Sequence, residues 1–257
     1  MTIWEAAEGP RHIRAVAGVL FRMVESQEQI ATLGYVDTLE EQALLEQMLE
    51  DVKPPYRADT AGLHYLLKTP FRYPPLKWGS RFGRIHEPGI FYGGCSTEAT
   101  LAEAAYYRFV FWYSMDGEPV KETIRSEHTL FSAGYRSGRG VKLQDPPFDR
   151  SAEAITHRAD YTQTQLLGTA MRDAGVEAFE YPSARDPLHG LCVGLFSPGA
   201  FSRAQPDEQG QWLCEAGARE VAFKRVGHNA VTRFAIGTFT VDGELPLPAA
   251  TGGRGTS

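Results

Sequence analysis

The sequence predicts an α+β fold: a mixed, largely antiparallel β core with surrounding helices and an N-terminal helical extension. Three observations carry this. Short apolar runs bounded by glycine and proline read as strands, and longer runs with apolar residues three and four apart read as helices. The two kinds do not alternate regularly, as a doubly wound sheet would require. No G-x-G-x-x-G follows a strand and no G-x-x-x-x-G-K-[ST] occurs, so neither dinucleotide nor P-loop signature supports an α/β nucleotide fold. With 257 residues, 42% of them hydrophobic, the chain can bury a core without disulfides or metal.

In chain order, residues 11–26 read as a helix, because Ile13, Val16, Val19, Leu20 and Met23 fall at helical spacing. A second helix is expected from Leu39 to Asp51, opened by the Thr38/Glu41 capping box and stopped by the prolines of "KPPYR". Residues 63–84 mix proline, glycine and aromatics and read as a short strand and an ordered loop. "GIFYGG" (89–94) reads as a strand, and Ser96 or Thr97 caps a helix with Glu98 in its first turn. Residues 128–143 suggest a strand and a glycine-rich turn. Residues 149–175 suggest one long helix ended by Gly175. "VEAFEYPSAR" and "GLCVGLFSP" read as core strands, and "EVAFKRV" and "VTRFAIGTFTV" as half-buried antiparallel ones. The organisation expected is an extension over 1–60 packed on the core, a main domain over 61–245, and a tail over 246–257 lacking core residues.

The formal net charge is −6, which argues against broad binding to nucleic acid, since that needs a basic face to displace counterions. The three cysteines, Cys95, Cys192 and Cys214, have no C-x-x-C spacing and read as free thiols of a reducing cytoplasm. No metal site is expected, no run is long and apolar enough for a membrane span, and the N-terminus does not read as a secretory signal. Against this acidic background, residues 71–94 concentrate aromatic rings with Arg72, Lys77, Arg81 and Arg84. Such a run suits a local pocket for one small anion; a proline-rich surface loop is the plainer alternative.

Arg81, Tyr92 and Glu103 stand at equal intervals on a loop, a strand and a helix. That order of elements can fold all three towards one cleft. Glu103 lies in the apolar stretch "ATLAEAAYY", where a carboxylate is rarely buried unless paired. Each residue also has a structural alternative: a solvent face for Glu103, a carboxylate partner for Arg81, a core ring for Tyr92. Ser183, in the turn "YPSAR", could be an ordinary turn residue.

Taken in order, "GSRFG", "GIFYGG", "TLAEAAYYR" and "YPSAR" followed by "GLCVGLF" resemble the RES-domain toxins of bacterial toxin–antitoxin pairs, over roughly residues 70–200. The string "FRYPPLKWGSRFGR" looks most like the ParT branch, although the long N-terminal segment departs from the shortest members. The resemblance implies a fold similar to ADP-ribosyltransferases and an enzyme that consumes NAD as substrate. It matches Arg81, Tyr92, Glu103 and Ser183 to the family's active-site residues. It also implies a helical Xre-type antitoxin partner and a protein acceptor of ADP-ribose, with phosphoribosyl pyrophosphate synthetase as the candidate. In this reading Glu103 stabilises an oxocarbenium-like ribose, and Arg81, helped by Arg72, binds pyrophosphate. Tyr92 stacks on nicotinamide or ribose, and Ser183 bonds a phosphate or a ribose hydroxyl. An NAD glycohydrolase or phosphorylase, and a non-catalytic phosphate-ligand or protein-binding module, are the alternatives.

Overall fold

A computed structural model describes residues 1–26, 36–75, 79–117 and 121–247. Lys77, and residues 248–257 of the tail expected over 246–257, lie outside these residues. The described helices are α1 (Ile3–Ala6), α2 (Leu39–Asp51), α3 (Tyr65–Arg72), α4 (Thr97–Tyr113), α5 (Ala152–Ile155) and α6 (Thr162–Asp173). The strands are β1 (Arg14–Glu25), β2 (Phe91–Gly94), β3 (Thr123–Lys142), β4 (Ala178–Pro182), β5 (Leu191–Leu195), β6 (Glu208–Gly217), β7 (Glu220–Arg225) and β8 (Val231–Ala235).

The strands form one sheet in the order β1-β2-β5-β4-β3-β6-β7-β8. A further β1–β3 pairing closes the first five into a ring. All pairings are antiparallel except β3 with β4. The mixed, mainly antiparallel α+β architecture is thus as expected, and it fits an ADP-ribosyltransferase-like fold.

Four local expectations are corrected. Residues 14–25 are not helical: β1 runs antiparallel to β3 along its length. Its buried residues Val16 and Leu20 are four apart, a spacing that satisfies both the helical and the strand period. Val16, Leu20 and Val24 pack into one core cluster, while Phe21 and Met23 on the other face pack against a second. Residues 65–72 form a helix, not a strand, with the His64 side chain accepting the Leu66 N–H and Pro70 carried inside. Leu66, Leu67 and Phe71 are the face it buries.

The glycines of 134–140 make no turn but lie within the twenty-residue strand β3. Gly140 is there for contact: a Cβ would stand 2.2 Å from Val16. The long helix expected over 149–175 breaks into a 3-10 turn, α5 and α6, with residues 156–161 crossing between the helices. Gly175 does end α6, at φ 73°, with its N–H on the Arg172 carbonyl and the Val176 N–H on the Met171 carbonyl. Strand β6, absent from the sequence reading, pairs with the first half of β3.

α2 opens with the expected Thr38/Glu41 capping box. α4 is capped by Ser96, whose side chain accepts the Ala99 N–H. The helix buries Leu101, Ala105, Tyr106 and Phe109 in a cluster with Cys214, Val221 and Phe223 of β6 and β7. No described helix is long and apolar enough to cross a membrane.

α6 packs so closely on the loop before β2 that a Cβ at Gly168 would stand 1.8 Å from the Phe82 carbonyl oxygen. Gly168→Ala is expected to destabilise the protein by about 1–3 kcal/mol. Thermal unfolding checks this, and an unchanged midpoint contradicts it.

Candidate active site

The face of α4 turned away from its apolar cluster carries Thr100, Glu103, Tyr107 and Arg108, a stripe at helical spacing. This stripe forms one wall of a cavity of about 630 Å³. Other walls come from Phe21–Glu25 of β1, from Tyr65 to Tyr73 in and after α3, from Ser80 and Arg81, and from Tyr92 and Tyr161. Arg81, Tyr92 and Glu103 therefore line one space, and Ser183 stands directly behind Glu103.

Glu103 is half-buried, and its Oε1 accepts a 2.6 Å hydrogen bond from Ser183 Oγ. Ser183 is fully buried in the β4–β5 turn. Its Oγ accepts the N–H groups of Arg185 at 3.1 Å and Asp186 at 2.9 Å. A hydroxyl has one donor and two acceptor positions. With both lone pairs taken by backbone N–H groups, the proton points to the carboxylate. The turn thus sets the orientation of Glu103.

Tyr92 does for the Arg81 loop what Ser183 does for Glu103. Its hydroxyl accepts the Phe82 N–H at 3.1 Å and bonds Ser80 Oγ at 2.9 Å. Both flanking residues of Arg81 are therefore held by one phenol. Burial pushes the pKa of that phenol up to about 12, so it stays protonated. The Arg81 guanidinium donates from Nη1 to the carbonyls of Ile155 (3.2 Å) and His157 (2.8 Å) and lies 4.5 Å from the centre of the Tyr161 ring. Arg72 is not brought to this site. Its guanidinium bonds Glu50 at 2.6 Å, meets the Pro54 carbonyl and stacks 4.1 Å from Tyr56, away from the cavity lining.

The sequence reading missed Arg22, which lines the cavity from β1. Nη1 donates to the Tyr92 carbonyl at 2.6 Å, the guanidinium lies 5.0 Å from the Phe91 ring centre, and Nε has no partner. Burial pulls its pKa down to about 10, so it remains charged at neutral pH. Among the described residues no carboxylate pairs with Arg22, Arg81 or Arg185. The one available signal was an arginine set in the apolar run "VLFRMV", which the helical reading hid. Among the described lining residues three arginines, Arg22, Arg81 and Arg108, stand against the two carboxylates of Glu25 and Glu103, and an anion entering the cavity would relieve that surplus.

Further along the lining stand Glu25, Arg108 and His128, with Arg108 3.3 Å from Glu25. His128 is buried, and its Nε2 meets Ser126 Oγ at 2.9 Å. Burial, reinforced by the Arg108 charge, lowers its pKa to about 4. Below the unfolded histidine value near 6.5 the unfolded chain takes up a proton that the folded chain refuses. Stability from this residue is complete above that value and falls as the pH drops towards 4. The loss is on the order of 2–3 kcal/mol. Unfolding midpoints measured from pH 7 to 4 should fall, and the fall should be shallower in His128→Gln; equal slopes would contradict this.

Compared with known protein families, residues 54–214, more than half of the chain, match the RES domain. No curated protein matches the sequence.

Proposed function

The chain belongs to the RES-domain family, and on that premise we propose that it is a toxin that cleaves the nicotinamide–ribose bond of NAD and passes ADP-ribose to a protein. Family membership is consistent with a toxin-like, NAD-utilising domain. The observation that carries the finer reading is the joint placement of a turn-oriented Glu103 and the uncompensated guanidinium of Arg22 on one cavity.

Nicotinamide departs with the bonding electron pair and becomes neutral, so no general acid is needed. Positive charge gathers on the ribose ring, as in glycoside hydrolysis. Glu103, held by Ser183, supplies the opposing negative charge and takes up the proton that the acceptor loses on attacking C1′. Because the Ser183 hydroxyl is fully committed, its part is to orient Glu103. Arg22 and the outward side of Arg81 suit the pyrophosphate, since guanidinium and phosphate match in charge and bonding geometry. The Tyr92 phenol keeps the Arg81 loop in place and leaves its ring to face the substrate.

The ParT-like string favours a protein acceptor, with phosphoribosyl pyrophosphate synthetase as the candidate, and an Xre-type antitoxin as the partner that restrains the enzyme. NAD hydrolysis or phosphorolysis is the second reading, because Glu103 serves the bond cleavage equally when water or phosphate attacks. NAD labelled in its adenine half, incubated with the protein and cell extract, should label a protein band. Full loss of NAD without a band would favour the second reading, and no loss of NAD would reject both.

Two variants test the assignments. Glu103→Gln should lower the rate of NAD turnover by about 10²–10³-fold with little change in melting temperature. Arg22→Gln should raise KM for NAD about tenfold or more, the loss of one charge-assisted contact. Unaltered kinetics in either variant would remove that residue from the mechanism.

A further inference from the structure

We infer that Arg185 is a positioning residue that joins the three separate elements carrying the candidate site. The inference rests on reading the cavity as an NAD site. Arg185 is among the largest fully buried side chains, with 2% of its surface exposed. Its backbone N–H bonds Ser183 Oγ and so helps to aim the serine at Glu103. Its guanidinium lies 3.5 Å from the centre of the Tyr106 ring, and Tyr106 is on α4, one turn beyond Glu103. From Nη2 it donates to the Arg158 carbonyl at 2.6 Å and to the Tyr161 hydroxyl at 3.2 Å.

Tyr161 is the ring against which Arg81 lies, and the carbonyls that hold Arg81 belong to Ile155, at the end of α5, and to His157 in the same crossing segment. Two buried arginines therefore grip residues 155–161 and share one tyrosine, Arg81 at its ring and Arg185 at its hydroxyl. Arg81 reaches the cavity directly, whereas Arg185 is not among its lining residues and acts through Tyr161, Tyr106 and Ser183.

Stability alone is a poor account of this arginine. Nη1 is buried without a partner, and among the described residues no carboxylate forms an ion pair with the guanidinium. An apolar side chain of similar reach commonly serves a folded core as well as or better than a buried ion. What an apolar chain cannot supply is the pair of directed hydrogen bonds on the segment beneath Arg81. Arg185→Met keeps the backbone N–H and an apolar stem but removes that pair, and Arg185→Lys keeps the charge on one ammonium in place of the planar fork.

The test uses the full chain. In Arg185→Met, kcat for NAD turnover should fall about tenfold to a hundredfold, with KM changing less than about threefold, as expected when reacting groups are misplaced by an ångström. Arg185→Lys should recover part of the loss. Amide hydrogen exchange over residues 155–161 should quicken in Arg185→Met about tenfold or more, while that of β4 and β5 is unchanged. Tyr161→Phe, which removes only the hydroxyl acceptor, serves if Arg185→Met does not fold, and should show the same pattern at smaller amplitude. Unchanged kcat, or a rise in KM alone, overturns the inference, as does unaltered exchange over 155–161. If the wild type turns over no NAD, the proposed function fails first. The exchange result then still decides whether Arg185 holds the segment.

Discussion

A carboxylate on α4 and a hydroxyl eighty residues later meet at 2.6 Å, and the remainder of the site is arranged around that contact. The helix brings Glu103 to the cavity by turning its apolar face to β6 and β7. The β4–β5 turn brings Ser183 by burying it and closing both of its lone pairs with N–H groups. Neither element specifies the geometry alone. A free glutamate on a helix samples several rotamers, and each rotamer lost costs entropy. Here a fully committed donor selects one orientation, so the cost is met on folding and not when a substrate arrives.

The same logic recurs on the cationic side. Tyr92 holds the residues on either side of Arg81, and backbone carbonyls hold its guanidinium. Arg22 is held from one side by the Tyr92 carbonyl and left unpaired at Nε. An acidic protein thus keeps a small positive region. On the proposed reading such a region suits one small anion, because a cleft with low-dielectric walls focuses the field of its charges.

How far the sequence disclosed this depended on the range of the interactions. α4, β2 and the α2 capping box were legible because caps and short apolar runs act locally. Residues 14–25 were not, since Val16 and Leu20 obey both periods and only pairing with β3 decides between them. That misreading hid Arg22, whose inward direction follows from strand alternation. Arg72 was drawn into the site by nearness to Arg81 in sequence, but it occupies the last turn of α3, where Glu50 and Tyr56 claim it. Ser183 was legible through family resemblance, yet its partner could not be read, because contacts across eighty residues leave no local signature.

The long strand β3 has a temporal consequence. Its first half needs β6, its other edge needs β1, and its last residues need β4. Most of these pairings span long stretches of chain, so they close slowly and late. During synthesis the ring cannot be completed until β5 has emerged, and Glu103 waits unheld until Ser183 follows it out of the ribosome. The pieces of the site therefore come together only after the chain has been made past β5, and a fragment ending before Ser183 carries Glu103 without the hydroxyl that orients it.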